Sequence, residues 1–302
     1  MHVAVTGSTG FIGSALMRKL EQTGHSPVGI VRGSGQGIQW DPAAGTIDKS
    51  ALEGEDAVVH LAGEGVGNKR WTTAQKDRIL RSRVDGTTLL ATTLAQLERP
   101  PSVLLSASAV GYYGDRGNEE LTESDHAGSD FLARVCVEWE ASTEAASAAG
   151  IAVTHVRTGF VLDRKSGGLN KMLPLFRLGL GGRFGNGEQY MSWISLADEV
   201  AAIIWLLENR VHGPVNLTAP HAVTNRVFTK TLGRVLHRPS VVPVPKFGPR
   251  LAIGRELADA LLFTSTRALP DQLATSGFQF EHPTLESALT HALRSEALGL
   301  SG

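Results

Sequence analysis

Glycines 7, 10 and 13 fall three residues apart in Thr6-Gly-Ser-Thr-Gly-Phe-Ile-Gly13. A G-x-x-G-x-x-G spacing supplies what a dinucleotide pyrophosphate requires: one glycine for a tight turn, one for close approach of the backbone, one for packing a helix against a strand. A helix opening at Phe11 would turn its first backbone N–H groups, and the positive end of its dipole, toward those phosphates. Gly7, Thr9, Gly10, Phe11, Ile12 and Gly13 are therefore the expected cofactor-binding residues of this turn. Nineteen residues beyond Gly13 stands Arg32, with no acidic residue between Pro27 and Trp40. A carboxylate there would bind a ribose 2′-OH, whereas a guanidinium takes a 2′-phosphate through a charge-assisted contact. The expected cofactor is NADP(H).

A bare glycine triplet carries little; its context carries more. Val3-Ala4-Val5 precedes it as a strand, and Ile12, Leu16 and Leu20 follow at helical spacing with Gly24 as the stop. Residues 28–31 add a second strand, completing a βαβ unit whose crossover is right-handed. Apolar runs recur at 57–62, 103–107 and 151–156, separated by helical stretches at about 72–97 and 129–149. The alternation predicts an α/β fold, a doubly wound parallel Rossmann-type sheet, with a smaller C-terminal substrate lobe. Residues 1–165 form the expected NADP-binding domain and 166–302 the expected substrate-binding lobe and C-terminal extension. The segment near 192–219 is expected to return to the sheet through Val215-Asn216-Leu217. Thr224 is a fair N-cap for a helix reaching Leu236, and two helical stretches flank Phe278-Gln279-Phe280.

The chain has 302 residues, with 29 Lys+Arg against 30 Asp+Glu, so its net charge of −1 creates no global field for nucleic acid or anionic membrane. Its 42% hydrophobic and 20% charged residues exclude a disordered chain. The longest membrane candidate, 200–207, falls far short of the roughly 18 apolar residues a span needs. The single cysteine, Cys136, cannot form a disulfide within the chain, which fits a reducing cytoplasm. The ten histidines show no metal-ligand spacing. The expected partner is a small molecule, with no nucleic acid and no membrane; the oligomeric state is open, with a homodimer as the candidate.

Thr6-Gly-Ser-Thr-Gly-Phe-Ile-Gly13, His60-Leu-Ala-Gly63 and Ser106-Ala-Ser-Ala-Val-Gly-Tyr-Tyr-Gly114 together resemble the extended short-chain dehydrogenase/reductases. Ala62-Gly-Glu64, Phe131-Leu-Ala133, Trp139-Glu140, Arg177-Leu-Gly-Leu-Gly-Gly182 and Ser192-Trp-Ile194 resemble their atypical, epimerase-like subfamily. Its members are often labelled nucleoside-diphosphate-sugar epimerases or SulA-like cell-division inhibitors. The resemblance spans nearly the whole chain and adds Leu61, Ala62 and Gly63 to the expected cofactor site. It also implies Lys171, Tyr190 and Trp193 as substrate-pocket candidates, although core packing explains Trp193 equally well. In the wider family a Ser or Thr works with a Tyr and a Lys four residues later. The resemblance puts Ser108 at the serine position, able to donate to a substrate carbonyl, but Phe131 and Val135 where Tyr and Lys should stand. Neither can move a proton, so Tyr112 and Tyr113 become the candidate proton-transfer groups beside Ser108, with packing or substrate stacking as the alternative.

Two further signals stay open. Lys69, Arg70, Lys76, Arg78, Arg81 and Arg83 read as a solvated helix face, or as a stretch whose Lys69 or Arg70 meets an anionic substrate group. His60 reads as a packing residue rather than a base. The function expected is an NADP-dependent oxidoreductase or epimerase-like enzyme on an unknown small carbonyl or hydroxyl substrate. The alternatives are a catalytically silent NADPH-binding regulator and a nucleotide-sugar epimerase.

Overall fold

The computed structural model describes residues 1–33 and 35–294; residues 295–302 of the expected C-terminal lobe lie outside the described residues. The chain opens with β1 (His2–Thr6), α1 (Phe11–Gln22), β2 (Ser26–Val31), β3 (Ile38–Asp41), β4 (Thr46–Ile47), β5 (Ala57–His60), α2 (Thr73–Ala95) and β6 (Val103–Ala109). It continues through β7 (Glu120–Leu121), α3 (Phe131–Ala141), α4 (Glu144–Ala148), β8 (Ala152–Thr158), β9 (Phe160–Leu162) and α5 (Gly167–Arg177). Then come β10 (Tyr190–Met191), β11 (Trp193–Ser195), α6 (Leu196–Glu208), β12 (Gly213–Leu217), β13 (Val223–Thr224) and α7 (Asn225–Val235). The described chain closes with α8 (Phe247–Ile253), α9 (Arg255–Ala258), a π-helical turn at Asp259–Phe263, β14 (Arg267–Ala268), α10 (Asp271–Thr275) and α11 (Leu285–Arg294).

Eight strands form one sheet in the order β12-β8-β6-β5-β1-β2-β3-β4, parallel except where β4 folds back on β3. The strands are apolar on both faces because helices cover both. Val3, Val5, Val59 and Leu105 point to the face held by α1 and α6, while Ala4, Val58 and Leu104 point to the face held by α2 and α4. Parallel sheets require this double burial. Chain direction across the sheet reverses between β1 and β5, so the crevice beyond their carboxyl ends is where a ligand of an open α/β sheet is expected. Val215-Asn216-Leu217 lies in β12, paired with β8 at the edge of this sheet.

A separate apolar cluster joins Leu173 and Phe176 of α5, Trp193, Phe228 and Leu232 of α7, and Leu289 of α11. Thr224 caps α7 as its sequence position suggests, its hydroxyl accepting from Val227 N–H. The glycine-rich run near 165–187 is partly helical, with Pro174 inside α5. Among the described residues no helix is long and apolar enough to cross a membrane.

Glu199, in the first turn of α6, is fully buried; Oε1 accepts from the Thr158 hydroxyl at 2.8 Å and Oε2 has no hydrogen-bond partner. Burial, only partly offset by Thr158, pushes its carboxyl up to about 8 from 4.5. Between those values the folded chain holds a proton that the unfolded chain releases. The stability linked to this group is thus complete below about pH 4.5 and is lost as pH rises through about 8. Thermal melts at about pH 5 and pH 8.5 should show the wild type losing on the order of 4 kcal/mol relative to Glu199→Gln. An unchanged difference would mean that the carboxyl is ionised throughout.

Candidate cofactor and catalytic site

The first half of the site is built by backbone. At the end of β1, Thr6 Oγ1 accepts the N–H groups of Leu61 and Ala62 at 3.0 and 3.1 Å, so its own proton is directed to His60 Nδ1 at 2.7 Å. The other ring nitrogen, Nε2, then carries the proton and donates to Thr87 Oγ1 of α2 at 2.9 Å. Burial holds His60 down at about 4, so the ring is neutral. His60 therefore clamps the Leu61–Ala62–Gly63 loop and is no base, in line with its reading as a packing residue.

The three glycines divide the work. Gly7 turns the chain at φ +66°, and a Cβ there would lie 3.0 Å from the Leu61 carbonyl carbon. A Cβ at Gly13 would sit 2.1 Å from Gly7 O, which only glycine avoids. Gly10 is different: exposed, at φ −70°, its added Cβ would meet only Gly7 O at 3.1 Å. Apart from that one carbonyl, nothing stands within 4 Å of the position where a pyrophosphate would approach. The N-terminus of α1 at Phe11 and Ile12 has no side-chain cap and no acid in its first turn, while Asp130 and Thr72 cap α3 and α2. Thr9 and Gly63 are exposed beside it, and exposed Arg32 follows the last residue of β2. An anionic dinucleotide fits this crevice.

The second half is a knot of buried polar side chains. Ser108, near the end of β6, donates to Glu140 Oε1 of α3 at 2.6 Å. Glu140 is held by two parallel bonds from Arg157 of β8, Nε to Oε1 and a terminal nitrogen to Oε2, each 2.9 Å. Arg157 also donates to the Tyr113 hydroxyl at 3.0 Å and lays its guanidinium 3.4 Å from the centre of the Tyr112 ring. The Tyr113 hydroxyl passes its proton to Asn216 Oδ1 of β12 at 2.8 Å. Burial works against the charge on Arg157, but Glu140 more than offsets it and the guanidinium is held above its usual value. Tyr113 is fully buried, and burial pushes its phenol up to about 12. The Ser108 proton points at Glu140, so Ser108 offers the site a lone pair where the resemblance implied a donor. Cys136, buried beneath this knot, has its thiol pushed up to about 11 and is inert.

Phe131 begins α3 and packs edge-on against Trp71, with the Lys76 ammonium 5.4 Å from its ring centre. It lines a cleft of about 610 Å³ together with Trp71, Asp130, Lys246, Arg250 and Phe263. Lys171 reaches across from α5 to the Gly67 carbonyl at 3.0 Å, and Tyr190 lies under the Arg267 guanidinium. These two are partly accessible; Trp193 is not. It is fully buried, its indole N–H bonded to the His221 carbonyl, so its place is in the core. The basic stretch also divides. Arg81 pairs with Asp77, Lys76 with Glu256, and Arg70 with the Leu251 and Ala252 carbonyls, whereas Arg83 turns inward. Arg83 is 9% exposed, bonds the Glu64 and Ile79 carbonyls and packs over Trp139, so it is no solvated face residue.

Glu140, Arg157, Asn216 and Arg83 escaped sequence reasoning as functional residues. Their partners lie on other elements, so no local spacing marks them; the one available signal was an arginine inside a strand, Arg157 directly after Val156.

The sequence profile of the NAD dependent epimerase/dehydratase family matches residues 3–218, and that of a domain of unknown function, DUF1731, matches 244–292. An epimerase family protein of Mycobacterium leprae is 42% identical over 294 residues, 96% of this chain and 95% of that protein. Human epimerase family protein SDR39U1 is 36% identical over 96% of this chain and 98% of its own. The crystal structure of its isoform 2 with NADPH matches at TM-score 0.90 and 34% identity, covering 97% and 99% of the two chains. A nucleoside-diphosphate sugar epimerase from Corynebacterium glutamicum matches at TM-score 0.78 and 36% identity over 97% of this chain, which spans 58% of that longer one.

Breaking the buried ion pair from one side should cost far more than removing it whole. Arg157→Met leaves Glu140 uncompensated and should lower unfolding free energy in urea by about 3–5 kcal/mol, while Glu140→Leu/Arg157→Met recovers most of it. Additive losses would mean the two groups are not coupled.

Proposed function

The chain belongs to the NAD-dependent epimerase/dehydratase family, and from that premise we propose that it binds NADP(H) in the β1/β5 crevice. The observation that carries this reading is the exposed backbone of Gly10 at the uncapped start of α1, together with the Leu61 and Ala62 N–H groups clamped by Thr6. The backbone N–H groups of Phe11 and Ile12 would hold the pyrophosphate, Leu61, Ala62 and Gly63 would line the crevice, and Arg32 would take the 2′-phosphate. The NADPH bound by the human relative is consistent with this choice.

The activity proposed is that of an oxidoreductase or epimerase-like enzyme on a small carbonyl or hydroxyl compound, held in the cleft beside Phe131. The cofactor supplies hydride; the chain has to supply the proton. Phe131 and Val135 have none to give. Ser108 directs its proton to Glu140 and Tyr113 to Asn216, whereas the Tyr112 hydroxyl stands outside these bonds. Tyr112 is therefore assigned as the proton donor, with Ser108 orienting the substrate hydroxyl as an acceptor and Tyr113 holding Arg157 in place. The same commitments favour a second reading, an NADPH-binding regulator without turnover. Lys171 and Tyr190 remain substrate-side candidates.

Fluorescence titration should show NADPH binding at least tenfold tighter than NADH, a charge-assisted contact being worth about 1.5–3 kcal/mol, with the preference lost in Arg32→Ala. Equal affinities would overturn the assignment of Arg32. Gly10→Val should keep a native circular dichroism spectrum yet weaken NADPH binding by roughly 100-fold, about 2.7 kcal/mol. Normal binding by that variant would remove the crevice as the site. In a panel of aldehydes, ketones, quinones and sugar nucleotides, Tyr112→Phe should lower any NADPH oxidation by about 10²-fold or more. Stoichiometric NADPH without turnover on any compound would favour the regulator.

A further inference from the structure

Where the entry to α11 meets the start of α6, three side chains with metal-binding atoms converge. Glu281 and His282 precede α11 and His291 lies on it, and one ligand atom from each falls within 4.8 Å of the others. The His282 and His291 rings are 4.2 Å apart, and His282 Nε2 stands 3.9 Å from Glu281 Oε1.

The surroundings of His282 decide which of its nitrogens carries the proton. Asp198, almost fully buried at the start of α6, accepts the backbone N–H groups of Glu281 at 2.7 Å and His282 at 3.1 Å, and the Ser195 hydroxyl at 2.8 Å. The Ser195 proton is directed to Asp198, so Ser195 Oγ can only accept from His282 Nδ1, 3.4 Å away, with the Asp198 carboxylate 3.8 Å beyond the same nitrogen. Nδ1 therefore carries the proton, which leaves the Nε2 lone pair free on the side of the Glu281 carboxylate, with the His291 ring alongside. A ligating imidazole backed on its other nitrogen by a carboxylate is the usual outer arrangement of a metal-bound histidine.

We propose that Glu281, His282 and His291 form a site for a divalent transition-metal ion of the zinc class, with Asp198 and Ser195 orienting His282. Two histidines and one carboxylate suit Zn²⁺. Bonds of about 2.0–2.2 Å require the ligand atoms to close by roughly 1 Å, which the exposed Glu281 and His291 side chains can supply by rotation. Both also line a cleft of about 290 Å³, which leaves room for a fourth ligand; Arg18, Lys19 and Asp163 stand in the same wall. The bound ion would tie α11 to the segment that Asp198 fixes on α6, and so join the C-terminal extension to the sheet domain.

The test uses the full, tag-free chain after chelator treatment. Isothermal titration with ZnCl₂ should give one equivalent per chain at micromolar or tighter affinity, and Co²⁺ should give the intense visible absorption of a four-coordinate ion. Saturating Zn²⁺ should raise the melting temperature by about 3 °C or more. His291→Ala and Glu281→Gln, both at exposed positions, should each weaken binding at least tenfold and remove the thermal shift while leaving NADPH binding unchanged. Absence of stoichiometric binding, or stoichiometric binding indifferent to both substitutions, overturns the site.

Discussion

The pair between Glu140 and Arg157 organises everything near the end of β6. Its side chains are only 12% and 4% exposed, and taking two such charges from water is costly unless every polar atom around them is satisfied. The neighbours follow from that requirement. Ser108 completes the shell of Glu140, Tyr113 takes another N–H of Arg157, and Tyr112 covers the guanidinium face. A helix carrying Tyr and Lys at positions 131 and 135 would bring a proton donor and its activating cation to the substrate. Here the charge of this region is consumed internally, and of the Tyr112 and Tyr113 phenols the one left outside the bonds is the one stacked on the cation.

The cofactor crevice follows another logic. Its parts are backbone groups set by glycines and by one neutral histidine, and these are properties short stretches of sequence can carry. Gly7, Gly10 and Gly13 are legible because each answers a local steric demand, and β1, β2, β5, β6 and β8 because strands buried on both faces read as apolar runs. The family likeness and the Rossmann-type sheet were both readable from these motifs. His60 was legible as a packing residue for the same reason, lying at the end of such a run.

The rest was not legible because it depends on distant contacts. Arg83 belongs to a run of cations that looks solvated, and only the approach of Gly63 and Trp139 shows that it turns inward. Glu140 and Arg157 lie seventeen residues apart on a helix and a strand, a separation with no periodic signature. Trp193 carries an aromatic side chain compatible with a pocket or a core, and burial alone separates the two. β3 and β4 are too short for a periodic pattern, and α5 contains the glycines and proline that argue against a helix. His282 and His291 are brought together by the entry into α11, not by a recognisable spacing.

Asn216 gives its side-chain amide to the Leu269 carbonyl, and the buried Glu123 carboxylate accepts from the backbone of both Asn216 and Gln272. These bonds tie the middle of the chain to a segment about fifty residues later. On the ribosome, the sheet strands through β12 emerge well before residues 269–272, so the nascent sheet edge must keep Asn216 and Glu123 hydrated until that segment arrives. Leu273 and Phe278 join the apolar core on the α1/α6 face of the sheet, so the same late segment completes both that core and the polar edge at Asn216, and a chain released before it would expose both.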